Sequence, residues 1–224
     1  MKGKRKEDGL YRVAMAGRSV MGHWFKFRNF PDLLSRYAIY IPWPIPYAVY
    51  AKDPYRFEYI RIVPPDPDAA NARYGRETIA SLRRQVEGKG YDALFFKLCF
   101  VDFRDRTLKD ENAKKRLFEG MKSLIEQVHA FAGEENANLI VGNALPVLKA
   151  GEHAQQLRRE YNEWIDGYAG RNPDVSVFDF FGLLSDENGK LIPDLARNAF
   201  DPHLNREAYS ILEKELLSRL SENR

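Results

Sequence analysis

Ser19 stands behind Gly17-Arg18, directly after the short apolar run Tyr11–Ala16, and Asp201 and His203 stand together ahead of Asn205 near the other end of the chain. A serine hydroxyl is a weak nucleophile until a base takes its proton, and an imidazole does this best when a carboxylate fixes its tautomer. A serine that opens a helix at a strand end also has backbone N–H groups within reach of an oxyanion. These residue types could therefore carry acyl transfer. The plain alternatives are a helix-capping serine and a helix-entry loop in which Asp201 and His203 satisfy backbone groups. The turn is neither Gly-x-Ser-x-Gly nor a Walker loop, because no Gly-Lys-Ser/Thr follows it.

Further candidates lie at the ends of other apolar runs. Within Lys97–Arg106, Asp102 could orient the Ser19 loop and Arg104 or Arg106 could hold an anionic substrate; the alternative is a strand end with solvated charges. Asn143 could donate to an oxyanion or simply form a turn. His23 lies one helical turn beyond Ser19 and reads as an alternative base or as a histidine packed beside Trp24. His129 is expected near solvent on a long helix, and His153 opens another. No His, Cys, Asp or Glu set has metal-ligand spacing, so neither a metal nor a cofactor is expected. A phosphate or nucleotide at the Gly17-Arg18 turn is a third reading, since anions bind at helix N-termini.

The elements that must position these residues alternate. Tyr11–Ala16, Phe57–Val63, Ala93–Phe100, Asn138–Gly142 and Val175–Phe178 read as strands, the second nearer a sheet edge because Pro64-Pro65 follows it. Apolar residues at helical spacing mark Arg76–Glu87, Asn112–Ala132 and Glu152–Tyr168, and a last helix begins after Asn205, a good N-cap. Successive β-α pairs imply a five-stranded parallel sheet with helices on both faces, a single-domain three-layer α/β/α fold in the flavodoxin-like order 2-1-3-4-5. Tyr37–Tyr55 mixes Pro42, Pro44, Pro46 and Pro54 with aromatic residues and reads as an extended loop.

Composition bounds the rest. The chain has 224 residues, 44% hydrophobic and 30% charged, enough for a packed core in one domain spanning 1–224, with 1–9 as a disordered basic tail. A formal charge of +3 is too balanced for nucleic-acid binding. The lone Cys99 excludes a disulfide framework. No stretch approaches the roughly 18 apolar residues of a membrane span, and no signal-peptide core follows the basic N-terminus, so a cytoplasmic protein is expected.

Taken together, these blocks resemble the SGNH/GDSL hydrolase superfamily from Tyr11 to about Leu220. Gly17-Arg18-Ser19 resembles its Gly-Asp-Ser block, which implies Ser19 as nucleophile. Asp201 and His203 resemble the last block, which supplies the rest of the triad. Arg159–Trp164 (REYNEW) and the VFDF stretch at Val177 are also similar to members. Three departures stand out. Arg18 replaces a non-catalytic Asp. The last block is Asp-x-His rather than Asp-x-x-His, a form similar to polysaccharide O-acetyltransferase relatives. The Gly-x-Asn-Asp block falls on Cys99–Asp102, with Val101 in place of the oxyanion asparagine. Losing one such donor typically costs about 3 kcal/mol. The resemblance implies an oxyanion hole from the N–H groups of Ser19 and Gly75, and a small-molecule ester substrate. It leaves a weak or inactive protein that binds an acyl or carbohydrate ligand as the alternative.

Overall fold

Val13 and Met15 point to one side of the first strand and Ala14 and Ala16 to the other, and all four are fully buried. That double burial is what a central strand of a parallel sheet requires, because helices must cover both faces. The computed structural model describes residues 9–29, 49–62, 72–103, 110–198 and 201–222, apart from the side chains of Asn29, Asp201 and Pro202. The strands are β1 (Tyr11–Gly17), β2 (Val49–Lys52), β3 (Tyr55–Arg61), β4 (Ala93–Lys97), β5 (Asn138–Gly142), β6 (Val175–Phe178), β7 (Ala196–Asn198) and β8 (Asp201–Leu204). The helices are α1 (Ser19–Asn29), α2 (Ala72–Val86), α3 (Glu111–Glu134), α4 (Glu152–Ala169), α5 (Phe180–Leu184) and α6 (Arg206–Glu222).

The main sheet is six-stranded in the order β2-β3-β1-β4-β5-β6. The inner series β3-β1-β4-β5-β6 is parallel and has the 2-1-3-4-5 order expected from the strand-helix alternation. The sixth strand corrects the five-stranded expectation. β2 runs antiparallel to β3 at the edge, with Tyr50 opposite Phe57. The end of the presumed aromatic loop is therefore a hairpin that turns at Asp53-Pro54, and Tyr50 stacks on Phe57 at 4.8 Å between centroids. The remainder of that loop lies outside the described residues.

One apolar layer joins the Val13, Met15 and Phe95 face of the sheet to α1 and α6 through Trp24, Leu212 and Leu216. The other joins Ala14, Ala16 and Phe96 to α2, α3 and α4 through Leu82, Leu124 and Leu157. β4 stops at Lys97, earlier than its apolar run predicts. The chain then tightens into a 3₁₀ turn, Phe100–Phe103, in which the Asp102 carboxylate accepts the Cys99 N–H at 2.8 Å. A side chain that captures a backbone donor in this way ends the ladder. The Asp201–His203 segment, expected as a loop, is instead β8, paired antiparallel with β7.

Candidate active site

Ser19 is the first residue of α1, placed where β1 leaves the carboxyl edge of the sheet. Gly17 makes this sharp exit possible. A Cβ there would lie 2.5 Å from Met21 Cγ and 3.3 Å from the Lys97 carbonyl oxygen. The Gly22 N–H donates to the Arg18 carbonyl at 3.0 Å, so the amides before it in α1 have no intrahelical acceptor. Two tyrosines fix the turn. The Tyr59 hydroxyl lies 3.3 Å from the Gly17 carbonyl and 3.2 Å from that of Arg18. The Tyr209 hydroxyl, from α6, donates to the Val20 carbonyl at 3.0 Å. The last helix is thus tied to the first turn of the first helix.

Ser19 Oγ lies 3.9 Å from Cys99 Sγ. Burial pushes the Cys99 thiol up, so it sits beside the serine as a neutral group. Behind Cys99 is Asp102, whose side chain is wholly buried. Its Oδ2 accepts from the Cys99 N–H and the Tyr74 hydroxyl, and its Oδ1 faces the Arg18 guanidinium at 3.4 Å. Burial pushes Asp102 up to about 7, against the opposing pull of Arg18. Nearby, Lys97 is lowered to about 7 by burial. Its Nζ donates to the Leu98 carbonyl at 3.0 Å and faces the Phe180 ring at 5.0 Å.

His203 arrives on β8. Its ring lies 4.5 Å from that of His23 and meets Phe100 edge-on at 5.2 Å. His23 is one turn along α1 from Ser19, and Phe100 follows Cys99, so both rings that flank His203 come from segments adjoining the serine. The end of β8 is fixed by Asn205, whose N–H donates to the Leu195 carbonyl at 3.0 Å and whose Oδ1 caps α6 by accepting the Ala208 N–H at 3.0 Å. The backbone of Asp201 belongs to β8, and its side chain lies outside the described residues.

Other candidates are placed elsewhere. Gly75 lies within α2, lining a groove of about 670 Å³ between α2 and α3 with Gly120 and Leu124, and nothing in the described geometry links it to Ser19. Val101 packs its aliphatic side chain against the core. Asn143 is committed at α5: its Nδ2 donates to Asp179 at 2.6 Å and its Oδ1 accepts the Phe181 N–H at 3.0 Å. Arg104 and Arg106 lie outside the described residues. His129, expected near solvent, is half-buried and bonded through both ring nitrogens, to Asp174 at 2.9 Å and Tyr168 at 2.7 Å. His153 is exposed beside Glu111. Among the described residues no group of three His, Cys, Asp or Glu side chains could hold a metal ion, and no helix is long and apolar enough to cross a membrane.

Sequence reasoning missed the two tyrosine anchors and the buried Lys97, because nothing local distinguishes them from ordinary core residues. It named His23, whose helical spacing from Ser19 was the available signal, but not its ring contact with His203.

No protein-family model matches the chain, and a search of curated proteins finds no match. Solved structures do match. A GDSL-like lipase from Bacteroides thetaiotaomicron superposes with a TM-score of 0.63 at 14% identity, covering 100% of this chain and 93% of that one. A Bacteroides fragilis protein assigned as an acylhydrolase gives 0.61 at 16% identity, with 100% and 91% covered. The aryl esterase of M. smegmatis gives 0.50 at 14%, with 74% and 79% covered. At these identities the likeness establishes the fold, which is that of the SGNH/GDSL hydrolases.

Proposed function

We propose that this chain is a serine hydrolase of a small ester, an esterase or deacetylase with O-acyl transfer as a variant, working through an acyl-enzyme on Ser19. One observation carries the reading. Ser19 opens α1 at the carboxyl edge of the sheet, and the ring of His203, from the far end of the sequence, packs at a tilt of 54° against that of His23, one turn along the same helix. The carboxyl edge is where open parallel sheets bind their ligands. Neighbours of this fold carry names of ester hydrolases, which agrees with the chemistry.

In the proposed mechanism His203 takes the Ser19 proton as Oγ attacks the ester carbonyl carbon, and Asp201 holds the imidazole in the required tautomer. The tetrahedral oxyanion rests on the Ser19 N–H and its neighbours in the first turn of α1. The C–O bond to the alcohol then breaks, and the leaving oxygen takes the proton back from His203. Water, or an acceptor hydroxyl, repeats the sequence on the acyl-enzyme. Val101 offers no side-chain donor, so stabilisation weaker by about 3 kcal/mol than a two-donor hole provides is expected, with slow turnover as the consequence. Gly75, the second donor implied by the sequence resemblance, sits in the first turn of α2 with no described contact to Ser19 and is left out of this scheme.

The same two observations, an aliphatic Val101 and an Asn143 engaged at α5, favour a second reading, in which the fold binds an acyl or carbohydrate ligand without turning it over. Intact-mass detection of fluorophosphonate labelling separates the two. The hydrolase reading expects one adduct on the parent and none on Ser19→Ala or His203→Ala. A folded parent that takes no adduct and cleaves no short acyl ester moves the assignment to the binding protein.

A further inference from the structure

Arg18 inverts the charge found at this position in the sequence block it resembles, and the structure gives the inversion a physical setting. The guanidinium leans on a carboxylate that is already well served. Asp102 Oδ2 accepts the Cys99 N–H at 2.8 Å and lies 3.4 Å from the Tyr74 hydroxyl, while only Oδ1 faces Arg18, also at 3.4 Å. The Tyr74 hydroxyl also meets the guanidinium. A guanidinium has five donors in a planar fork, so these contacts leave most of it unused. The ion pair is sealed at one end and open at the other, for the Asp102 side chain is 0% exposed and that of Arg18 is 22%.

The ion pair lies close to the nucleophile. Arg18 immediately precedes Ser19, and Asp102, its partner, binds the N–H of Cys99, whose sulfur is 3.9 Å from Ser19 Oγ. Among the described residues, two other polar groups near this turn are already taken. Tyr59 is engaged by the Gly17 and Arg18 carbonyls, and Lys97 is 2% exposed. Burial also holds Asp102 up to about 7, so near neutral pH it is an incomplete counter-charge for Arg18.

We propose that Arg18 is a specificity-determining residue whose free donors receive a carboxylate carried by the substrate close to its scissile ester. The ligand class is a half-ester or an ester of a carboxylate-bearing alcohol. This rests on the ester-hydrolase reading and names the substrate class of that same site. No bond changes at Arg18. It orients the substrate through charge-assisted hydrogen bonds, and a planar fork binds a carboxylate better than a point charge does.

The test compares matched esters on the full chain. On the acyl side the pair is p-nitrophenyl hemisuccinate and p-nitrophenyl butyrate; on the alcohol side it is 4-acetoxybenzoate and phenyl acetate. The expected result is a preference of about tenfold in kcat/KM for the anionic member of one pair, carried by KM. Arg18→Gln collapses that ratio towards one, Arg18→Lys retains part of it, and the responding pair identifies which side carries the carboxylate. Equal kcat/KM for both members of both pairs overturns the proposal. So does an Arg18→Gln variant that lowers kcat for neutral and anionic esters alike, since that is the behaviour of a purely structural counter-charge. If Arg18→Gln does not fold, the ratio in Arg18→Lys decides.

A binding arm separates this proposal from the hydrolase reading. On Ser19→Ala protein, monomethyl succinate is expected to raise the melting temperature more than methyl butyrate does, and Ser19→Ala/Arg18→Lys to show less of that difference. Carboxylate-dependent stabilisation in a chain that never turns over esters upholds Arg18 and removes the hydrolase. Ester turnover dependent on Ser19, without any carboxylate preference, does the reverse.

Discussion

Two histidines sit at opposite edges of the sheet, and they are held in different ways. His129 lies beside the amino end of β6, where Asp174 binds one ring nitrogen at 2.9 Å and Tyr168 the other at 2.7 Å. His203 lies at the carboxyl edge among rings, with His23 at 4.5 Å and Phe100 at 5.2 Å. On hydrogen bonds alone the Tyr168–His129–Asp174 group looks more like a catalytic relay. Its position argues otherwise. It joins the ends of α3 and α4 to the start of β6, and Asp174 is half exposed, so each bond ties one element to another and leaves no ring nitrogen to meet a substrate. A histidine with both nitrogens occupied is a clamp. His203 instead packs against the helix that Ser19 opens, which is where the proposed proton transfer would need it.

The largest effect should come from exchanging the two histidines' fates. With p-nitrophenyl acetate turnover as the readout, His203→Ala is expected to lower kcat/KM by about 10³-fold or more, whereas His129→Ala leaves it within about twofold. A collapse on losing His129 instead would move the site to the other edge. His129→Ala should show in stability, by about 1 kcal/mol in urea unfolding, because it removes two cross-element hydrogen bonds from a partly exposed site. The His129 hydrogen bond holds the Asp174 carboxyl below its ordinary value. That part of the stability is present above about pH 4 and fades as the pH falls through the native-state pKa, so the variant should lose less on acidification.

A second prediction concerns the buried carboxyl behind Ser19. Asp102 ionises near pH 7 when folded, because burial disfavours its charge, and near pH 4 when unfolded. Between those values the native state holds a proton that the unfolded chain has released. Stability therefore falls as the pH rises from about 4 to about 7. Asp102→Asn has no proton to lose. The stability difference between parent and variant, read from urea midpoints across this window, should change in that direction by up to about 4 kcal/mol, the equivalent of the full separation. A flat difference would mean that Arg18 keeps Asp102 ionised throughout, and with it a closed ion pair.

The smallest effect is expected at Gly75. An alanine Cβ there would be 4.0 Å from Gln127 Nε2, an ordinary contact, and the backbone is helical. Gly75→Ala should add about 0.5–1 kcal/mol to stability, measurable as a rise in urea midpoint. A loss instead would reveal a close approach at this groove.

Much of the frame was legible because the periodicities are strong. The β1, β5 and β6 runs appear within a residue or two of their expected bounds, and the long face from Leu117 to Phe131 is buried along α3 as its spacing requires. Errors gathered where one long-range contact overrides a local pattern. β4 stops at Lys97 because Asp102 captures a backbone donor, and Val49–Lys52 becomes a strand because β3 offers it an edge. At the site, sequence order and residue type named Ser19 and His203 as candidates and Asp102 as a group able to orient the Ser19 loop, and the family resemblance marked Val101. They did not reveal Cys99 against Ser19, Arg18 as the partner of Asp102 or the tilted packing of His23 against His203.

The division has a physical reason. Strand and helix identities, the parallel order and the serine at the first strand's end follow from apolar spacing and turn chemistry, which act over a few residues. Which side chains face one another at that end was decided only by the tertiary structure. Tyr209 reaching the Val20 carbonyl joins residues 189 positions apart, and Arg18 reaching Asp102 joins residues 84 apart. No pattern within a helix or strand specifies such meetings. They form when both faces of the sheet are buried at once and the polar groups left at its edge find the nearest partner.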